Sequence, residues 1–218
     1  MASLSGHSPV LDFIFLSLGT MNSFKIVPLI AGLFYLWCQG SYKRRLAIVG
    51  VGGAFVALVL ARFIQNFGSH KLRPLASPQF DFANTLPSIA DWSSFPSDTT
   101  ALACAIATAI GLASPRLGLL AFAWAAFTAM AKLYGGYHFP SDVAAGAMIG
   151  AFATYAIHRS GPVVDWVYDR AESARLAQPG LFAFCSFIVA FQLATFFNDI
   201  RSGAHIAHER LSYFSHKP

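Results

Sequence analysis

Long apolar runs separated by short polar or charged junctions organise this 218-residue chain. Ser8-Pro9 predicts the start of a short helix reaching about Leu18, too short to cross a bilayer and better suited to lie at its interface. Apolar segments then follow over about 22–39, 46–67, 96–113, 116–134, 140–157 and 179–198. Gly40, the Ser114-Pro115-Arg116 turn and Gly135-Gly136 punctuate them. A polar, Pro-rich stretch over 68–95 is long enough to be functional or to carry its own short helix. A mixed-charge connector covers 158–178, and the tail over 199–218 is polar. About 20 apolar residues are needed to cross some 30 Å of hydrocarbon. The expected fold is therefore all-α: a polytopic membrane helical bundle, one membrane-embedded domain over 1–218, with five long spans and a short interfacial N-terminal helix.

Composition supports this reading. Hydrophobic residues make up 56% of the chain and charged residues only 11%, against about 25% charged in soluble domains. The net charge of +5 falls in short clusters such as Lys43-Arg44-Arg45 between apolar runs. The positive-inside rule produces that placement without any nucleic-acid partner. Cys38, Cys104 and Cys185 are far apart and read as small apolar residues, with no disulfide or metal spacing. The N-terminus lacks the pattern of a cleaved secretory signal. Trp37, Trp92, Trp124 and Trp166 read as packing or interfacial aromatics.

Alternating crossings put Lys43, Arg44, Arg45, Arg116, Arg159, Arg170 and Arg175 on one side. Lys25, Lys71, Arg73, Lys132, Arg201, Arg210 and Lys217 fall on the other. With Lys71, Arg73 and Lys132 set aside as site residues, the first side is the cytoplasmic one. The expected location is the bacterial inner membrane, with the site and the 68–95 loop facing the periplasm.

Charge at the edge of a span is expensive and points to function. Three segments meet on the non-cytoplasmic side: Arg62 to Pro74, with His70, Lys71 and Arg73; Phe95-Pro96-Ser97-Asp98-Thr99; and Lys132 to Asp142. Guanidinium and ammonium groups clamp phosphate oxygens, and a helix beginning after Pro96 offers N–H groups to an anion. His138 is placed to attack phosphorus and form a phosphohistidine, with Asp142, one turn on, holding the other ring nitrogen. Ser97 and Asp98 also read as helix-capping residues, and Lys132 also as a snorkelling side chain. No metal or other cofactor is called for. His205-x2-His208-Glu209 in the tail has helical ligand spacing but no third segment to support it.

Ala131-Lys132, five residues, His138, three residues, Asp142 resembles the third motif of the type 2 phosphatidic acid phosphatases, Ser-Arg-x5-His-x3-Asp. Arg73-Pro74 is similar to the end of the first motif, Lys-x6-Arg-Pro, and Pro96-Ser97 to the start of the second, Pro-Ser-Gly-His. The resemblance covers most of the chain. It implies His138 as nucleophile, Asp142 as its orienting partner, and Arg73, Lys132 and Ser97 as phosphate ligands.

Four positions depart from the family pattern. Asn66 occupies the first-motif lysine position, and Arg62 or Lys71 replaces that charge. Ala131 stands for serine and Lys132 for arginine. Thr99 stands where the family has the histidine that protonates the leaving group, leaving it at most a weak phosphate ligand. A leaving alkoxide needs that proton, whereas a leaving phosphate, with its second pKa near about 6, departs as an anion. The expected activity is metal-independent hydrolysis of a membrane lipid phosphate or pyrophosphate, a polyprenyl pyrophosphate above others. Lipid-to-lipid phosphotransfer, and a non-catalytic protein that binds or transports a lipid phosphate, are the alternatives.

Overall fold

The computed structural model describes residues 8–74 and 93–196, and every regular element among them is a helix. In chain order these are α1 (Pro9–Thr20), α2 (Asn22–Cys38), α3 (Ser41–Phe67), α4 (Asp98–Ala113), α5 (Pro115–Tyr134), α6 (Pro140–Arg159), α7 (Gly161–Ala177) and α8 (Pro179–Ala194). The polar tail over 199–218, its His205-x2-His208-Glu209 pattern and residues 75–92 of the expected loop lie outside the described residues.

Proline sets most of the starts, standing in the first turn of α5, α6, α7 and α8, where its missing N–H costs nothing. Gly40, at φ 114°, supplies the left-handed break between α2 and α3. The Lys43-Arg44-Arg45 cluster, expected in a loop, lies within the first turns of α3. At 27 residues that helix is about 40 Å long. The expected connector over 158–178 is also largely helical, as α7. Its carboxylates meet that cluster, Glu172 at 2.7 Å from Arg44 and Asp165 at 2.5 Å from Arg45.

By length and composition, two helices are long and apolar enough to cross a membrane, Ser41–Phe67 and Pro115–Tyr134. This falls short of the five long spans expected. Phe24–Cys38, Asp98–Ala113 and Pro179–Ala194 are apolar but shorter. Large apolar side chains point outward along α1, α3, α5 and α8, including Phe13, Phe63, Leu119 and Phe187.

α4 is the core element. Ala101, Ala103, Ala105, Ala107 and Ala109 are fully buried within it, and α3, α5 and α6 pack around it. Small side chains let helix backbones touch. At Gly150 of α6 an added Cβ would lie 2.8 Å from the Ala105 amide nitrogen, and at Gly146 it would lie 3.3 Å from that of Ala101. Thr154 continues this seam, donating its hydroxyl to the Ala105 carbonyl at 3.0 Å. The seam sets the height of the α4 start relative to the α6 start, where the polar residues gather.

Gly150→Ala is expected to separate α4 from α6 at a cost of about 1–3 kcal/mol, the usual range for overpacking a core. Gly180→Ala, where a Cβ has nothing within 4 Å, should leave stability unchanged. Thermal unfolding of the two variants in detergent checks both.

Candidate active site

Backbone hydrogen bonds lace the three polar segments together at one end of the bundle. The Ser94 amide donates to the Lys71 carbonyl at 2.7 Å, and the Ser97 amide to the Asp142 carbonyl at 3.0 Å. Gln65 of α3 adds a third tie, donating from Nε2 to the Pro96 carbonyl at 2.7 Å. The Phe95-Pro96 peptide between these ties is cis. Segments far apart in sequence are thus fixed against one another through main-chain groups.

His138 is buried, at 3% exposure. Its Nδ1 lies 2.8 Å from the Ser94 carbonyl oxygen. A carbonyl only accepts, so Nδ1 carries the proton and Nε2 keeps its lone pair. Burial pushes the imidazole pKa down to about 4 against an ordinary 6.5, helped by the Arg73 charge and opposed by Asp98. The ring is therefore neutral at physiological pH.

The residue expected to hold this ring nitrogen, Asp142, stands further off, with Oδ2 3.9 Å from Nδ1. That is beyond hydrogen-bonding range. The carboxylate is fully buried and has other donors. Oδ1 pairs with Lys71 Nζ at 2.5 Å. Oδ2 accepts from the Phe139 amide at 2.9 Å and from the Ser94 hydroxyl. Asp142 thus caps the first turn of α6 and grips Ser94, whose carbonyl orients His138. Its influence on the imidazole runs through that serine.

The candidate phosphate ligands divide into two groups. Lys71 is engaged with Asp142, bonds Ser141 at 2.9 Å and lies 4.5 Å over the Phe139 ring. Arg62 forms an ion pair with Asp98 at 2.5 Å. Both therefore hold carboxylates in the frame of the site. Asn66 itself is exposed. Arg73 and Lys132 stand closer to the histidine segment. Arg73 donates from Nη1 to the Tyr137 carbonyl at 3.2 Å, and its buried Nε has no partner. Burial lowers the Arg73 pKa, partly offset by Asp98. Lys132 is buried, with Nζ 4.6 Å over the Tyr137 ring.

Ser97 is the N-cap of α4 and accepts from the Thr100 amide and hydroxyl at 3.4 and 3.0 Å, which leaves its own O–H to donate. Asp98, expected as a second cap, instead receives Arg62 and the Thr99 amide, the latter at 2.7 Å. Thr99 is buried, its hydroxyl 3.4 Å from Asp98 Oδ1. His70 is exposed.

Three residues that matter here were not singled out from sequence: Ser94, Gln65 and Lys25. Ser94 and Gln65 act through main-chain geometry, which leaves no motif. Lys25 carried a visible signal, a charge inside an apolar run. It is fully buried near the start of α2, and its carbonyl accepts the Trp124 indole N–H at 2.9 Å.

The chain is similar in sequence and fold to known proteins. The Bacitracin transport permease protein BcrC of Bacillus licheniformis is 29% identical over 145 residues, 63% of this chain and 67% of that protein. The Undecaprenyl-diphosphatase BcrC of Bacillus subtilis (strain 168) is 25% identical over 168 residues, 75% of this chain and 84% of its own length. The crystal structure of Aquifex aeolicus LpxE superposes with a TM-score of 0.56 at 26% identity, covering 71% of this chain and 88% of that one. A family model matches residues 46–165, from α3 into α7, and on that match the chain belongs to the PAP2 superfamily.

Proposed function

We propose that this chain is an integral-membrane lipid phosphatase whose preferred substrate is a polyprenyl diphosphate. The observation that carries the reading is the His138 ring. Its Nδ1–H is committed to the Ser94 carbonyl at 2.8 Å, which directs the Nε2 lone pair to chemistry as a neutral nucleophile. The diphosphatase named among the relatives supports the substrate.

In the first step Nε2 attacks the terminal phosphorus. The bond from that phosphorus to the bridging oxygen breaks, and the lipid monophosphate leaves with the electron pair. In the second step water attacks the phosphohistidine, the N–P bond breaks, and inorganic phosphate departs with the water's proton. Arg73 and Lys132 hold the phosphoryl oxygens, with the Ser97 hydroxyl as a third donor. Thr99 supplies no proton, which a phosphate leaving group does not require.

α2, α4, α6 and α8 cross the bilayer together with α3 and α5, six crossings and one more than the five long spans expected, with α1 at the interface and α7 at the end opposite the site. The outward-facing apolar side chains on α1, α3, α5 and α8 support that placement, since such a surface suits hydrocarbon. The site then faces the periplasm of a bacterial inner membrane. No metal takes part in these steps.

Phosphate release in detergent with a chelator present tests the reading. Polyprenyl diphosphate should be hydrolysed, and His138→Ala should abolish the release. Polyprenyl monophosphate and phosphatidic acid should be poor substrates, and Thr99→His should raise monoester turnover by about 10²-fold or more, the range of general-acid catalysis. Phosphate appearing on an acceptor lipid instead of in solution would identify a phosphotransferase. Headgroup binding with no turnover in wild type would identify a binding or transport protein.

A second prediction concerns pH. The His138 ring should stay neutral from pH 6.5 down to about 4. The unfolded chain takes up that proton across the same window and the folded chain does not, so stability should fall as pH drops from 6.5 to 4. Ring-nitrogen NMR, with the His138→Ala spectrum as reference, checks the midpoint. A transition near 6.5 would contradict it.

A further inference from the structure

Asp142 has no lone pair left for an imidazole. A carboxylate offers about four acceptor sites, and four donors reach this one. Lys71 Nζ lies 2.5 Å and the Ser141 hydroxyl 3.3 Å from Oδ1. The Phe139 amide, at 2.9 Å, and the Ser94 hydroxyl reach Oδ2. Lys71 is as fully committed. Besides Asp142, its ammonium donates to Ser141 Oγ at 2.9 Å and stands 4.5 Å over the Phe139 ring and 5.7 Å over that of Phe95. Two oxygens and an aromatic face thus take up the three protons of an ammonium.

Ser94 joins these two residues into a closed ring. Its amide donates to the Lys71 carbonyl at 2.7 Å, its hydroxyl donates to Asp142 Oδ2, and Asp142 Oδ1 receives the Lys71 ammonium. The Ser93 hydroxyl accepts the Lys71 amide at 3.3 Å and braces the same joint. Ser94 is fully buried. With its amide and hydroxyl both fixed, its carbonyl is aimed at His138 Nδ1, 2.8 Å away. Asp142 Oδ2 stands 3.9 Å from that same nitrogen. A charged acceptor with a free site would outcompete a neutral carbonyl for the N–H. The Ser94 hydroxyl occupies that site.

We propose that Ser94 is a positioning residue that keeps His138 off Asp142: its hydroxyl fills the carboxylate while its carbonyl holds the ring, and Lys71 braces both from behind instead of binding phosphate. This rests on the lipid phosphatase reading and adds to it the residues that aim the nucleophile. The aim matters to the rate. Closing the 3.9 Å gap to an ordinary hydrogen bond would carry the ring by about 1 Å, a displacement that can cost about 10²-fold. A neutral partner also leaves the ring uncharged, with the Nε2 lone pair that the attack on phosphorus requires.

Ser94→Ala removes the hydroxyl and keeps the carbonyl. Phosphate release from polyprenyl diphosphate by the full chain should then fall about 10–100-fold in kcat. KM should move less than about twofold, because the phosphate ligands are untouched. Lys71→Met should do the same, and the double variant should lose no more than the larger single loss, since both act through one ring. Ring-nitrogen NMR without substrate gives a second reading. In both variants the Nδ1 proton should move downfield as the ring turns to a carboxylate with an open site. Losses that multiply in the double variant, a Lys71→Met effect confined to KM, or an unmoved Nδ1 proton would each overturn the proposal. Ligand-free thermal unfolding shows whether Ser94→Ala is folded. If it is not, Lys71→Met alone decides, through its split between kcat and KM and its Nδ1 proton. A wild-type chain that releases no phosphate defeats the phosphatase reading, whereas the Nδ1 proton tests the hold of Ser94 on the ring without any turnover.

Discussion

A carboxylate with no exposure to water has to be surrounded by donors, and in this chain the donors of Asp142 come from three places in the sequence. Lys71 follows the α3 helix, Ser94 precedes α4, and the Phe139 amide opens α6. Leaving such a charge uncompensated would cost several kcal/mol. The desolvation of one acid therefore compels three remote segments to converge. Once they converge, the Ser94 carbonyl is delivered to the imidazole and the Ser97 amide to the Asp142 carbonyl. The orientation of the His138 ring is a by-product of satisfying the acid.

That polar knot has little strength in isolation and depends on the seam beneath it. α4 and α6 approach at backbone distance through alanine and glycine, so their first turns sit at a defined relative height. A sliding motion of even one residue, about 1.5 Å along a helix, would break the Ser97–Asp142 bond. Rigid, small-residue packing below and main-chain hydrogen bonds above thus divide the work. The lower part sets distance and the upper part sets direction.

Helix positions were legible in the sequence because proline and glycine punctuate it so strongly. The third-motif spacing brought out His138 and Asp142, since a pair four residues apart is a local pattern. Local reading failed where the partner is main chain. Nothing in the side-chain sequence says that the Ser94 carbonyl, rather than the carboxylate, meets the imidazole. The cations show the same limit: Arg62, Lys71, Arg73 and Lys132 all read alike as phosphate ligands, and only the fold reveals that the first two are paired with acids. Lys25 was visible as a charge but was weighed only for topology. α7 was read as a connector because its charges hid its helical continuity.

The far end of α3 carries a different lesson. Arg44 and Arg45 face Glu172 and Asp165 of α7, and Arg44 also lies 5.6 Å from the Trp37 ring. A charge counted during insertion of the nascent chain is still exposed at that moment and can decide which way a helix threads. In the finished protein the same charge is largely neutralised within the protein. The surface potential at that end is then weaker than a residue count suggests, and so is its pull on anionic headgroups. Arginines that guide assembly early thus become internal clasps later, and the mature face is left electrically quieter than the sequence that built it.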